Sequence, residues 1–363
     1  MKTQPTVSVV IPAYNAELWL PFTLQAACNQ TLRDIEILVV DDGSRDGTAA
    51  VALDHAARDA RIRLIQTTNG GVGAARNSGI REARGRFIAP LDADDLWHPD
   101  KLEEQVACME AGGEEMGLVY CWLEKIDATG GVITASFPWE IEGRVLRPLI
   151  LRNFLGNASV PLFRRSALDE VGLYLEAGEQ GGSQGCEDWD LAIRLAEKFT
   201  FGLVRRSLVG YRQLEDCMSL QTDWMGQTYE ITMDRAKARN PGLDPEVFRW
   251  SAGNFYSYLV SKCYVWGNYR GCLDSIFRAV SADPMLVINR KFHAMGLKSV
   301  IRLMSGTRGN IPSSGNGSDA ALAFLPPGKS AASWSERVQA KRWAAAQSPD
   351  EKPDARKRPM IRS

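Results

Sequence analysis

Short β-branched runs separated by helix-length segments constrain this chain more than any other feature. VSVVIP (7–12) is a nearly continuous β-branched run, the pattern of a strand buried on both faces. A helical stretch over 17–29 follows, with Trp19, Phe22, Leu24 and Ala27 among its apolar positions. IEILVVDD (35–42) reads as a second buried strand, and GSRDGTAAVALDHAARD as a turn and an alanine-rich helix. RIRLIQ (61–66) is a third strand, VGAARNSGIREAR (72–84) a third helix, and RFIAPLDADD a fourth strand.

Alternation of this kind predicts an α/β fold, a mainly parallel sheet flanked by helices in the Rossmann-like manner. Ligands of such sheets bind at the carboxyl ends of the strands. Here those ends carry Tyr14 and Asn15, then Asp41 and Asp42, then Asn69, then Asp92, Asp94 and Asp95. Polar residues at several strand ends on one edge describe a site.

After residue 112 the pattern loosens. GLVYCWLEKID (117–127) reads as a strand, followed by a glycine turn and VITASF; RVLRPLILRNFL is helix-like, and ASVPLFRRSALDEVGLY a strand and short helix. EAGEQGGSQG (176–185) is glycine-rich enough for a mobile loop able to close over a ligand. It leads into CEDWDLAIRLAEKF (186–199), a packed helix with acids at the end its dipole favours. From 226 to 304 the chain reads helical, with YVWGNYRGCLDSIFRAVSADP resembling one tetratricopeptide-like hairpin and INRKFHAMGLKSVIRLM a basic amphipathic helix. Past Ser305 the composition predicts a disordered basic tail. The division expected is therefore a catalytic domain over 1–225, a helical extension over 226–304 and a tail over 305–363. The basic helix suits either docking on the domain or a contact at a membrane surface.

Composition removes some classes. With 43 Lys and Arg against 44 Asp and Glu, bulk charge points to no nucleic-acid partner. The seven scattered cysteines contain no CxxC pair, which argues for reduced thiols in a cytoplasm rather than a disulfide framework. No signal peptide opens the chain and no window reaches a membrane span, so a cytoplasmic protein is expected, peripheral to the inner membrane face if the basic helix docks there.

LDADD poses the chemical question, because three carboxylates crowded at a strand end repel one another unless a cation or solvent relieves them. Asp92 and Asp94, two residues apart on an extended segment, would point the same way, and oxygen-only ligands suit Mg²⁺ or Mn²⁺. In VVDDGSRDGT an aspartate at the neighbouring strand end could accept hydrogen bonds from a nucleobase or ribose, although Asp41 and Asp46 also suit turn and cap roles. NGGVGAARNSG (69–79) offers close backbone approach, a helix N-terminus and Arg76 for phosphate charge, or for a plain salt bridge. Glu187, Asp188 and Asp190 could be first-turn acids only.

VSVVIPAYN, EILVVDDGSRDGT, NGGVGAARNSG, GRFIAPLDADDLWHPDKLE and GCEDWDLAIRLA occur in this order over roughly residues 6–220, and together they closely resemble the family 2 glycosyltransferases, inverting enzymes of the GT-A fold. That resemblance implies a nucleotide-sugar donor, a glycan or lipid-linked acceptor and a divalent metal. It implies Asp42 reading the nucleobase, Tyr14 and Pro12 lining the pocket, and Asn69 or Arg76 near the nucleotide. It further implies Asp92 holding the ribose or the metal's water shell, Asp94 the metal, Asp95 as a third carboxylate, and Asp188 as general base with Glu187 beside it.

Two departures from the family pattern stand out. YRQLEDCMS has Leu214 where relatives often carry a His, which leaves Asp216, water or weaker metal binding in its place, and a processive Gln-x-x-Arg-Trp signature is absent. Single-sugar transfer is therefore expected, with a cell-surface polysaccharide as the family-level product. A nicotinamide-dependent dehydrogenase fits poorly, because GGVGAA follows the third strand and Arg76 replaces the last glycine of the fingerprint. A nucleotidyltransferase would carry its basic phosphate loop after the first strand, where this chain has AYNAELW; a non-catalytic sugar-nucleotide binder would not need Asp94 and Asp188.

Overall fold

A computed structural model describes residues 4–134, 139–176, 185–214 and 222–305. The first four apolar runs form β1 (Val7–Ala13), β2 (Ile35–Asp41), β3 (Ile62–Gln66) and β4 (Phe87–Pro90), joined by α1 (Leu20–Cys28), α2 (Thr48–Arg58) and α3 (Val72–Glu82). All seven residues of β1 are buried, as an unalternating run requires in a strand covered on both sides. The four strands are parallel in the order β3-β2-β1-β4, so chain order reverses at β1. A crevice opens at such a reversal, outside the carboxyl ends of β1 and β4.

Beyond β4 the sheet is mixed. β5 (Leu96–Trp97), α4 (Lys101–Ala111), β6 (Met116–Ile126) and β7 (Val132–Thr134) come next. Then follow α5 (Leu146–Leu151), β8 (Leu162–Arg164), α6 (Arg165–Val171), α7 (Glu187–Ala196) and β9 (Thr200–Arg212). The order continues β4-β8-β6-β9-β5, and β7 pairs antiparallel with the end of β6. β8 runs antiparallel to both β4 and β6, β9 parallel to β6. The parallel expectation thus holds for the first four strands, and antiparallel pairing enters after them.

The C-terminal part is helical: α8 (Thr222–Arg239), α9 (Pro245–Val265), α10 (Tyr269–Ala282), a 3-10 turn (Pro284–Ile288) and α11 (Arg290–Met304). The stretch read from sequence as a hairpin, 264–284, holds only the end of α9 and all of α10; the turn between these two helices is at Gly267, whose φ of 74° is a conformation glycine adopts freely. The extension is fastened to the sheet domain through α7. Trp189 is 5% exposed, its ring lies 5.6 Å from Tyr229 and 6.3 Å from Phe255, and its Nε1 donates to Leu149 O at 2.8 Å. Tyr229 and Phe255 stack at 4.0 Å. An aromatic cluster of this kind, whose truncation costs about 3–5 kcal/mol per large ring, holds α7 firmly against α8 and α9.

Among the described residues no helix is long and apolar enough to cross a membrane. The six described cysteines are unbridged. Residues 177–184 of the glycine-rich segment, Asp216 and the tail from 306 lie outside the described residues.

Candidate active site

Three segments meet at the crevice: the start of α3, the turn after β4 and the start of α7. The NGGVGAARNSG segment organises all three. Asp42 follows β2, and its carboxylate accepts from Gly70 N at 2.9 Å and Gly71 N at 2.8 Å, while Asn69 Nδ2 donates back to Asp42 O at 3.1 Å. Asp42 therefore fastens the glycine pair that opens α3. Gly73 leaves room for the chain at Leu175, since a Cβ there would lie 2.5 Å from Leu175 O. Asn77 Nδ2 donates to Tyr174 O at 2.8 Å and its Oδ1 accepts from Tyr174 N at 2.9 Å. Gly79 sits against Val10 and Val40, which brings α3 onto β1.

Arg76 lies at the centre. Its guanidinium, 4% exposed, donates from Nη2 to Asp92 Oδ1 at 2.7 Å and from Nη1 to Glu187 Oε1 at 2.9 Å, 5.3 Å above the Tyr174 ring. Glu187 also accepts from Gly185 N at 2.7 Å through its other oxygen. Arg76, expected near the nucleotide, has its positive charge taken up by two carboxylates inside the protein. The bridge ties the acidic turn to the first turn of α7, which no sequence spacing could reveal.

The acidic turn also differs from the extended segment expected. β4 stops at Pro90, and Asp95 N donates to Asp92 O at 3.1 Å, which closes a turn. Asp95, expected beside Asp94 at the metal, is fully buried. Its Oδ2 accepts from Asn157 Nδ2 at 2.9 Å and Ser159 Oγ at 2.6 Å, and its Oδ1 from Arg212 N at 3.0 Å. Protein donors hold both oxygens, so Asp95 serves as a strut, and the carboxylates left at the cleft are Asp92 and Asp94. Arg212 completes the strut: Nε donates to Asp94 O at 2.7 Å and Nη1 to Asp127 O at 2.9 Å, with the guanidinium 4.8 Å above the Trp19 ring. Sequence reading assigned no role to Arg212, Asn157, Ser159 or Tyr174; the Tyr211–Arg212 pair just before Leu214 is the one signal that could have pointed to the first.

Electrostatics follow from this packing. Burial and the nearby Asp92 carboxylate push Asp94 up to about 6. Burial, then Glu187, pushes Asp188 up to about 7, against the pull of Arg76 and a 2.7 Å hydrogen bond from Trp189 N. A carboxylate poised near neutrality can take a proton at physiological pH. Pro12 is buried within β1 against Val40, whereas Tyr14 is 49% exposed at the strand's carboxyl end. Among the described residues no cluster of three His, Cys, Asp or Glu side chains forms a closed metal site.

Comparison with known proteins agrees with this architecture. Residues 8–172 match the family described as Glycosyl transferase family 2. Over 146 residues, 40% of the chain, it is 36% identical to chondroitin synthase of Escherichia coli, covering 21% of that protein. Over 121 residues, 33% of the chain, it is 47% identical to EpsJ of Bacillus subtilis, an uncharacterized glycosyltransferase, covering 35% of it. The chain thus spans about a fifth to a third of these two curated relatives. In structure it is similar to S. aureus TarS 1-349 in complex with UDP-GlcNAc, with a TM-score of 0.54 and 15% identity over 83% of this chain and 92% of that one. It is also similar to the mannosyltransferase PcManGT from Pyrobaculum calidifontis in complex with GDP-Man and Mn2+, with a TM-score of 0.51 and 18% identity over 95% of this chain and 86% of that one.

The fold is that of the GT-A glycosyltransferases. Through residues 8–172, a little under half of its length, the chain is similar to glycosyltransferase family 2.

Proposed function

We propose that the chain transfers a single glycosyl unit, with inversion, from a nucleoside-diphosphate sugar, a UDP-sugar for preference, to a hydroxyl of a glycan or lipid-linked acceptor. The observation that carries this reading is the buried Arg76 bridge. It joins the turn bearing Asp92 and Asp94 to the helix bearing Asp188, so a charged donor group and a proton acceptor can face one another across one cleft.

Asp188 is the general base, deprotonating the acceptor hydroxyl as it attacks the anomeric carbon and the nucleoside diphosphate departs. Glu187 positions Asp188 through Arg76 rather than touching the acceptor. Asp42, with Tyr14, Pro12 and Asn69, lies at the strand ends where the nucleoside would sit. A divalent cation fits the remaining carboxylates. Asp92 and Asp94 are hard oxygen donors, Asp94 is crowded enough to be pushed up to about 6, and two carboxylates completed by diphosphate oxygens suit Mg²⁺ or Mn²⁺. When bound, such an ion neutralises charge on the departing diphosphate.

Donor binding and turnover measured on two variants test this. Asp188→Asn is expected to bind UDP-sugar with Mn²⁺ as the parent does and to lose turnover by at least about 10²-fold. Asp94→Ala is expected to lose the Mn²⁺-dependent part of nucleotide affinity. Normal turnover in either variant overturns the corresponding assignment.

A further inference from the structure

Helix α11 carries two apolar faces and uses one of them. Phe292, Met295 and Ser299 face inward, and Gly296 lies against Ile276 and Leu273 of α10. On the opposite side Leu297 is 64% exposed, Val300 40%, Ile301 55% and Met304 84%. At the helical repeat these four fall within an arc of about 100°. His293 lies in the same arc, and its Nε2 is 2.6 Å from Val287 O, so exposed Val287 and Ile288 of the 3-10 turn extend the patch. A contiguous apolar face of this kind marks an interaction site rather than ordinary surface.

Charge indicates the partner. Lys291, Lys298 and Arg302 form a ridge along one border of the arc, and α11 contains no Asp or Glu. Residues 290–363 hold 14 Lys and Arg against 5 Asp and Glu, although the whole chain has a formal charge of −1. Positive charge is thus segregated to the end that bears the apolar arc. An apolar arc bordered by cations is the arrangement of a helix lying in the plane of an anionic lipid interface.

We propose that α11 and the adjoining 3-10 turn seat the protein on an anionic lipid surface. Leu297, Val300, Ile301 and Met304 enter the headgroup–acyl boundary, and Lys291, Lys298 and Arg302 meet lipid phosphates. The seat rests on observations independent of the acidic cleft.

Co-sedimentation of the full chain with vesicles tests this, using phosphatidylcholine alone and phosphatidylcholine with about a third phosphatidylglycerol. Binding to the anionic vesicles alone, weakening as salt rises, is expected. Leu297→Glu/Ile301→Glu should lower the partition coefficient at least about tenfold, and Lys298→Gln about fivefold. Both variants should keep the parent's thermal transition and UDP-sugar affinity in solution, so failure of the seat and failure of the cleft assignment are read separately. Equal binding to both vesicle types, or no binding, overturns the proposal. Binding unaltered by the double variant overturns it by placing the contact on another segment. A dimer in sedimentation velocity that the double variant dissolves, without vesicle binding, overturns it by giving the face to a second copy of the chain.

Discussion

Replacing Arg76 by Met removes the charge that joins two parts of the site while keeping an apolar stem of similar length. Glu187 is 8% exposed at its side chain and loses a 2.9 Å partner; Asp92 is 27% exposed and loses one at 2.7 Å. Breaking a buried pair from one side costs about 3–5 kcal/mol, because the remaining charge stays desolvated. Most of that falls on Glu187, since Asp92 retains water. At roughly 2–4 °C per kcal/mol, the transition should fall by about 6–20 °C in differential scanning calorimetry. The double variant Arg76→Met/Glu187→Gln should recover a large part of the loss, because a neutral amide no longer needs the cation while its oxygen can still accept a hydrogen bond. Arg76 also pulls the Asp188 carboxyl down. The single variant should therefore move the acid limb of the kcat profile to higher pH than the parent's. A cost below about 1 kcal/mol, or a double variant less stable than Arg76→Met, would refute the account of Arg76 as a buried bridge.

Three further outcomes follow from the same geometry. Asp188 is pushed up from its ordinary range to about 7, so folding takes up a proton there, and that stabilisation is present below about pH 4 and lost as pH rises towards 7. Urea titrations across that window should show Asp188→Asn gaining stability relative to the parent as pH increases; a constant difference would contradict the shift. Asp42→Asn cannot accept from both Gly70 N and Gly71 N, and should lose about 1–3 kcal/mol in urea unfolding together with UDP affinity. Gly79→Ala forces a methyl onto Val10 and should destabilise by about 1–3 kcal/mol in the same assay, with donor affinity retained if the clash is purely one of packing.

The first four strands and three helices were legible because a parallel sheet writes itself into sequence: strands buried on both faces become continuous apolar runs, and their connections become helix-length segments. The second half was harder to read. β9 runs for 13 residues, TFGLVRRSLVGYR, but its mixture of buried and exposed positions carries no single period, and it received no assignment from sequence. Its importance comes from its far end, where Arg212 reaches the acidic turn. LDADD showed three carboxylates, and only the folded chain separates them. Asp95 turns inward to Asn157, Ser159 and Arg212, residues between 62 and 117 positions away along the chain.

The sequence by itself determined that an acidic edge would form, because strand ends in a parallel sheet converge wherever the chain goes next, and residues placed there share one rim. Tertiary structure alone decided how the charges on that rim are divided between holding the protein together and facing the cleft. That division depends on desolvation and on which donors arrive from distant segments. Arg76, placed to meet an incoming phosphate when read along the chain, is instead enclosed between Asp92 and Glu187, because the start of α7 folds back over the start of α3.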